Sequence, residues 1–510
     1  MTRTKASLVC CALLHAGITC AYALTRLYGN KGALLDAGTI DQVLWNFTHT
    51  GEMLSTTNPP NNAQHWLGFH FSPILLLLAP LYASWPHIAL LQIVQSLCVG
   101  FAGIPLFFAL QALGARDREA GLGAALYWLN PFVLSAALWD FHEIAFAVLF
   151  ISCALWALCA RRFGMMTLAL LLLLLTKEQY GVSVAGFGFL WGWRYKDWKR
   201  GGFLMAAGML AAGLILAVIM PALHGGTHAM WSSDGSSAGR YGWINTPWPQ
   251  LLQAFARLMF SQEYNFPGVL YLLVLLLSGL LLPLVAPLYL APAAGDLLAN
   301  LLSANPMQRH LASYHTAACI PVVLVAAYQG YRCLLARAPE ARKPLIVASL
   351  VLAAVFPLTG LTLYPFAFWE LRKAHIAPDA DIPVIRALLQ EKPVSAQANI
   401  GIFFSQRREI YPFPRMAEQA GTVVLHLRQP FEAADQERFN IPFGEASRDY
   451  IAHLRNFMRQ PGWHITYWHA PWLVMTHGAP AQDERAPRAE IAQAIGAMDA
   501  PKAPPASRNP

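Results

Sequence analysis

The residues able to do chemistry come in short blocks. DAGTIDQVLWN, residues 36–46, sets Asp36 and Asp41 five residues apart. A helix over 38–48 would put Asp41 in its first turn, beside Gln42, Trp45 and Asn46. A carboxylate there can take a proton from a hydroxyl or hold a divalent cation; it can also simply cap the helix. HWLGFHFSPILLLLAPLY, residues 65–82, places His65 and His70 around an aromatic patch. His70 suits a proton carrier or a phosphate ligand, or a structural place at an interface. WDFHEI, residues 139–144, brings Asp140, His142 and Glu143 together. These types serve a proton relay or a metal, although the spacing matches no zinc motif. Lys177 and Glu178 follow the run LALLLLLLT. They form either a paired buried charge or a site in which Lys177 faces a cavity and binds an anion such as phosphate. NPMQRHLASYHTAACIP, residues 305–321, supplies Arg309, His310, Tyr314 and His315. A planar guanidinium fits phosphate oxygens, and an interfacial anchor is the plainer role for Arg309.

These blocks punctuate an apolar chain. Of 510 residues, 56% are hydrophobic and only 13% charged, against about 25% charged in ordinary soluble domains. Such a chain cannot cover a water-facing surface, which excludes a cytosolic enzyme, a disordered chain and a small disulfide scaffold. A bilayer span takes about 20 apolar residues. The runs predict about eleven spans: 6–27, 87–111, 121–139, 143–160, 164–176, 179–193, 202–221, 266–282, 284–303, 314–333 and 345–364. The short pair 164–176 and 179–193 reads as a tight hairpin with Lys177-Glu178 at its tip; 74–83 is too short to span. An ionisable residue at membrane depth is costly unless paired or facing water, so each is a functional candidate.

The net charge of +8 forms no single patch, which argues against a nucleic-acid partner. Arg3, Lys5, Arg116, Arg118, Arg161, Arg162, Arg194, Lys196, Lys199, Arg200, Arg332, Arg337, Arg342 and Lys343 fall in one set of short loops. The opposite set, up to residue 369, holds only Arg26, Lys31, Lys177, Arg240, Arg257 and Arg309. The positive-inside rule then puts the N-terminus in the cytoplasm and the C-terminus outside. The eight cysteines lie in apolar runs without a CxxC pair, so no disulfide framework is expected.

Domain boundaries follow from composition. Residues 1–369 are expected to form the transmembrane domain, with a long first outer loop at 28–86 and a second outer segment at 222–265. After residue 369 come fifteen of the twenty-eight acidic residues, with strands expected at 394–398, 422–427, 463–468 and 472–476 and helices at 383–391 and 447–459. This alternation predicts a small α/β domain outside the membrane, 370–478. The Ala/Pro/charge-rich 479–510 is expected to be a disordered tail. The fold class is thus a mostly α polytopic membrane bundle with a small C-terminal α/β extracytoplasmic domain.

The blocks DAGTIDQVLWN, GFHFSPILLLLAPLY, LNPFVLSAALWDFHE, LLLLTKEQYG, SYHTAACIPVVLVAAYQG and SQRREIYPFP, in that order, resemble the bacterial membrane proteins grouped as domain of unknown function 2079. The resemblance runs from about residue 30 to about 430, and that family is similar to the GT-C class of membrane glycosyltransferases. It implies a multi-span bundle of the bacterial inner membrane, a first outer loop with a catalytic carboxylate (Asp41, helped by Asp36), and a donor carried on polyprenyl phosphate. His70, Asp140, His142, Glu143, Lys177, Glu178, Arg309, Tyr314 and His315 become candidate substrate-binding residues. The family pattern also implies an acid before His70 and another after the Lys-Glu pair. This chain has Phe69 and Gln179 there, which weakens the case for an acidic metal cluster. A divalent metal is allowed but not required. The expected partners are membrane lipids, a polyprenyl-linked sugar and an unnamed acceptor. A transporter or lipid flippase, or a non-catalytic protein keeping the scaffold, are the competing readings.

Overall fold

A computed structural model describes residues 3–58, 63–226, 228, 240–261, 267–311, 313–363, 378–427, 447–480 and 484–499. Parts of the second outer segment and residues 500–510 of the expected tail lie outside the described residues. The chain divides into two compact units. The first comprises Met1–Thr25, His65–Trp85 and Ala89–Ala374; the second comprises Arg26–Gln64, Pro86–Ile88 and His375–Pro510. The long first loop is therefore shared out, with residues 26–64 in the same unit as the C-terminal region.

The first unit is helical. Among the described residues, four helices are long and apolar enough to cross a membrane: Lys5–Lys31, Ile88–Ala112, Trp198–Leu223 and Pro339–Leu358. The pair Asp117–Trp128 and Pro131–Leu138, bent by 51°, makes a fifth if taken as one span. Shorter apolar helices are Leu75–Ser84, Ile144–Cys159, Phe163–Leu174, Gly268–Leu277 and Cys319–Leu335. The expected count of eleven uninterrupted spans is thus not reproduced, and proline explains much of the difference. At 121–139 the bend falls at Asn130-Pro131: the asparagine side chain accepts the Phe132 N–H, and proline at a first helical position loses no hydrogen bond. At 284–303, Pro283, Pro287 and Pro292 leave 3₁₀ turns over Leu282–Val285 and Pro287–Ala293, and a regular helix only over Ala294–Leu302.

Small residues bring helices close. A Cβ on Gly188 would lie 2.6 Å from the Gly201 carbonyl oxygen, and one on Gly181 2.6 Å from that of Gly208. This is how Tyr180–Tyr195 packs on Trp198–Leu214 where lipid supplies no hydrophobic drive. Leu210, Phe203 and Leu14 stand exposed on the outside of this unit, as expected of a lipid-facing surface.

In the second unit, β1 (Val394–Ala396), β2 (Ile410–Pro412), β3 (Thr422–His426), β4 (Trp463–His469) and β5 (Trp472–His477) form a sheet in the order β2-β1-β3-β5-β4. β1 pairs parallel with β2 and β3; β5 pairs antiparallel with β3 and β4. Helices Asp381–Leu389 and Ser447–Phe457 complete the expected α/β alternation. β2, in the YPFP block, escaped the sequence reading because three residues are too few for a period-2 pattern. The expected disordered tail is corrected: Arg485–Asp499 is a helix. Its Ile491 and Ile495 sit in one apolar core with Leu454, Trp463, Leu473 and Met475. Alternating Ala and charge hid two apolar anchors four residues apart.

Candidate active site

The chemical residues fall into two groups, one in each unit, and each group is built from its own neighbours.

In the first unit, chain segments far apart in sequence are stitched at residues 70–74 and 175–178. Ile74 N–H donates to the Leu175 carbonyl at 2.8 Å. Phe71 N–H donates to Glu178 Oε2 at 3.2 Å, and His70 Nδ1 to Oε1 at 3.3 Å. Trp66 and Phe69 hold the His70 ring edge-on at 5.3 and 5.0 Å between centroids. Lys177 and Glu178 lie where Phe163–Leu174 ends and Tyr180–Tyr195 begins, at the tip of a hairpin. Lys177 is only 7% exposed. Its ammonium interacts electrostatically with Glu143, Glu178 and His70. Glu143 is 1% exposed, and its Oε1 has no hydrogen-bond partner. One buried and one half-buried carboxylate beside a buried ammonium make a centre that can hold a proton or a further cationic or polar group, since isolated buried charge is costly.

The WDFHE turn is gripped from the Ile88–Ala112 helix. Gln95 Oε1 accepts the His142 N–H at 2.8 Å, and Gln95 Nε2 donates to the Trp139 carbonyl at 2.9 Å. His142 Nδ1 donates to the carbonyl of buried Asp140 at 2.9 Å, which fixes the orientation of the ring. Tyr314 is sandwiched between His142 and His315, with centroids 3.5 and 4.0 Å away. His315 shares a 2.6 Å hydrogen bond with Ser313 through Nδ1, while its buried Nε2 has no partner.

Arg309 was expected at a phosphate or as an interfacial anchor. It is fully buried, and Nη1 donates to the carbonyls of Asn300 (3.1 Å) and Ser303 (2.6 Å). A guanidinium there caps the C-terminal end of the Ala294–Leu302 helix, where positive charge is favourable. Asp296, on that helix, escaped the sequence reading. It is 1% exposed, Gln179 Nε2 donates to its Oδ1 at 3.1 Å, and the Tyr180 hydroxyl sits beside it. An acid inside the apolar run APAAGDLLANLL was the available signal. Gln179, standing where the family pattern implied an acid, is thus the donor that satisfies another acid.

In the second unit, helix Thr39–Thr50 carries Asp41 in its first turn, as expected. No side chain caps this helix at Gly38. Instead Asp41, 1% exposed, accepts from Ser405 Oγ at 2.7 Å. Next to it, Gln42 Nε2 donates to Thr56 Oγ1 (3.0 Å) and the Arg408 carbonyl (3.0 Å), and its Oε1 accepts from Ser55 and from Thr56 N–H. Thr56 in turn exchanges hydrogen bonds with the Ile410 backbone. Asp36 is half-buried, in the turn just before the helix. Arg407 is buried, donating to the Phe404 and Lys392 carbonyls at 2.7 Å; burial, with Arg386 adding repulsion, brings its pKa down to about 10. Ser405 was missed because a serine in SQRREIYPFP has no local signal of its own. Among the described residues, no three His, Cys, Asp or Glu side chains are arranged to hold a metal ion.

Comparison with known proteins places this geometry. No curated protein matches the chain. The crystal structure of ArnT from Cupriavidus metallidurans bound to undecaprenyl phosphate is similar with a TM-score of 0.52 at 12% identity, covering 94% of this chain and all (100%) of that one. The apo structure of the same protein gives 0.45 at 12% identity, with 94% and 99% covered. With its family model matched over residues 30–436, the chain belongs to the predicted membrane protein family DUF2079, and its fold is like that of ArnT.

Proposed function

We propose that the protein is a membrane glycosyltransferase of the bacterial inner membrane, moving a sugar from a polyprenyl-phosphate donor to an acceptor hydroxyl on the outer face. Its N-terminus is then cytoplasmic and its C-terminal α/β domain periplasmic, the orientation that the Lys and Arg distribution favours. The observation that carries the reading is the buried ammonium of Lys177, set among Glu143, Glu178 and His70 in a fold like that of a protein crystallised with undecaprenyl phosphate.

The acceptor hydroxyl gives its proton to a carboxylate, for which Asp41, with Asp36 beside the same helix end, is the candidate that the sequence offers. The acceptor oxygen attacks the anomeric carbon, and the bond from that carbon to the phosphate oxygen breaks. The electron pair leaves with the polyprenyl phosphate. Lys177, aided by His70, His142 and His315, stabilises the negative charge that gathers there, and Tyr314 holds the two flanking imidazoles in place. Asp140, Glu143 and Glu178 orient these groups. Arg309 acts at one remove by fixing the end of the helix that bears Asp296.

Purified protein in proteoliposomes, given radiolabelled polyprenyl-phosphate sugars, should transfer label to an outer-face acceptor. Lys177→Met should abolish transfer. Full activity in the Asp36→Asn, Asp41→Asn double variant removes the proposed base. A transporter is the second reading, favoured by the broken stretch Leu282–Ala293 and the 51° bend. Movement of an intact labelled lipid across sealed vesicles without bond cleavage would select it.

A further inference from the structure

One groove in the first unit lies among residues that none of the chemistry above uses. It is open along one side, and the space between its walls, counted out to the solvent at its mouth, is about 620 Å³. Leu126, Leu324, Ala327 and Ile346 give it apolar walls, and Glu119 and Tyr331 its polar ones. One side is Arg342–Leu363, whose apolar face is largely uncovered.

The backbone beside the groove is costly. Helix Gly268–Leu277 stops, and Leu280 and Leu281 take the left-handed conformation, φ 54° and 60°. Leucine rarely goes there unless the surroundings enforce it. A Cβ on Gly279 would meet that of Ala327 at 2.8 Å, so only glycine allows this approach. Unwound backbone next to a bilayer is tolerated where it is buried in protein or lines a cavity. Ser278, Gly279, Leu280 and Leu282 line this one.

The polar wall is unbalanced in charge. One carboxylate, Glu119, takes both Arg342 at 2.7 Å and Arg116 at 3.1 Å. Two guanidiniums share this one carboxylate, and with the adjacent Asp117, Arg118, Glu340 and Lys343 the two segments carry one more basic than acidic residue. The Tyr331 hydroxyl, in a residue 9% exposed, has no partner meeting hydrogen-bond geometry. An apolar slot whose one charged lining residue, Glu119, holds two exposed guanidiniums at the rim is complementary to an amphiphile with an acyl chain in the slot and an anionic head at that rim. These basic residues belong to the loops read from sequence as cytoplasmic, where the leaflet is rich in anionic lipid.

We infer that this groove is a binding site for an anionic phospholipid of the surrounding bilayer, with its acyl chain along Leu126, Leu324 and Ile346 and its phosphate against Arg116, Arg342 and Tyr331. The test uses the purified full chain in detergent, with phosphatidylglycerol, phosphatidylcholine and undecaprenyl phosphate added separately, read by native mass spectrometry and thermal unfolding. Phosphatidylglycerol should bind about tenfold more tightly than phosphatidylcholine and raise the unfolding temperature. Arg116→Gln with Arg342→Gln should abolish that preference. Glu119→Gln, which frees both guanidiniums, should strengthen it. Ser349→Phe, filling the slot from its half-exposed side, should lower occupancy by both phospholipids. Equal binding of the two phospholipids, or a preference unchanged in the double arginine variant, overturns the inference. Displacement of phosphatidylglycerol by substoichiometric undecaprenyl phosphate also overturns it, assigning the groove to the isoprenoid carrier instead.

Discussion

The two groups of charged residues are buried to a similar degree by different means. In the first unit, Lys177, Glu143, Glu178 and His70 compensate one another's charge, and backbone amides and aromatic edges hold the frame. In the second, Asp41 accepts from a neutral hydroxyl, and its neighbour Gln42 bonds to hydroxyls and carbonyls. A charge-compensated centre loses both stability and chemistry when one member goes. A carboxylate held by a hydroxyl can lose its charge and keep its place. The difference separates mutations that collapse a site from those that silence it.

The largest effect should come from Lys177→Met. It leaves the buried Glu143 without its cation, Glu178 keeping His70 and the Phe71 N–H, and should cost about 3–5 kcal/mol, seen as a large fall in unfolding temperature along with loss of transfer. A folded, wild-type-stable Lys177→Met protein would erase the contrast. Next comes the pair Asp41→Asn and Ser405→Ala. The amide keeps the shape and can still accept from Ser405, so stability should change little while the rate falls by roughly 10²–10⁴ if Asp41 is the base. Ser405→Ala should do the reverse, costing about 1–2 kcal/mol with most of the activity kept. Equal stability losses and equal rate losses in both would make Asp41 a clamp only. Arg309→Met should cost about 2–3 kcal/mol, because it strips two buried carbonyls of their donor. It should leave the KM for the donor unchanged in the protein that still folds; a large rise in KM would return Arg309 to the phosphate.

The smallest effect concerns the C-terminal helix. Burial raises the Glu484 carboxyl, but the Ile465 N–H, Arg488 and His464 outweigh it and hold its pKa below the ordinary 4.5. A depressed carboxylate stabilises the folded state above 4.5, and that support fades as the pH drops below this value. Protection factors for amide exchange over residues 485–499, corrected for the intrinsic rate at each pH, should fall in acid, and Glu484→Gln should show the lower protection already at pH 7. Unchanged exchange in Glu484→Gln would mean that Ile491 and Ile495 alone hold the helix.

Much of this was legible in one-dimensional form. Apolar runs gave the helices, and the family blocks named His70, Asp140, His142, Glu143, Lys177, Glu178, Tyr314 and His315. Several joins between blocks were not legible. Ser405 and Asp41 are 364 residues apart, and no local pattern announces that contact. Arg309 looked free for phosphate because sequence cannot show that a helix ends beside it. Asp296 was readable by the same rule that flagged Lys177, yet it sits in a run whose prolines break what looked like one uninterrupted span. Composition separated outer from membrane segments but could not tell that residues 26–64 pack with the C-terminal region.

That pairing constrains how the chain is made. Helix Thr39–Thr50 leaves the ribosome early, but the serine and the strand that fasten it, Ser405 and Ile410, come more than 350 residues later. At 5–20 residues per second the delay is roughly 20–70 s. Throughout that time Asp41 lacks the Ser405 hydroxyl and Gln42 the Arg408 carbonyl, and the intervening helices must already be inserted. A nascent chain stalled before residue 405 would carry an opening segment that is exposed, sticky and open to proteolysis.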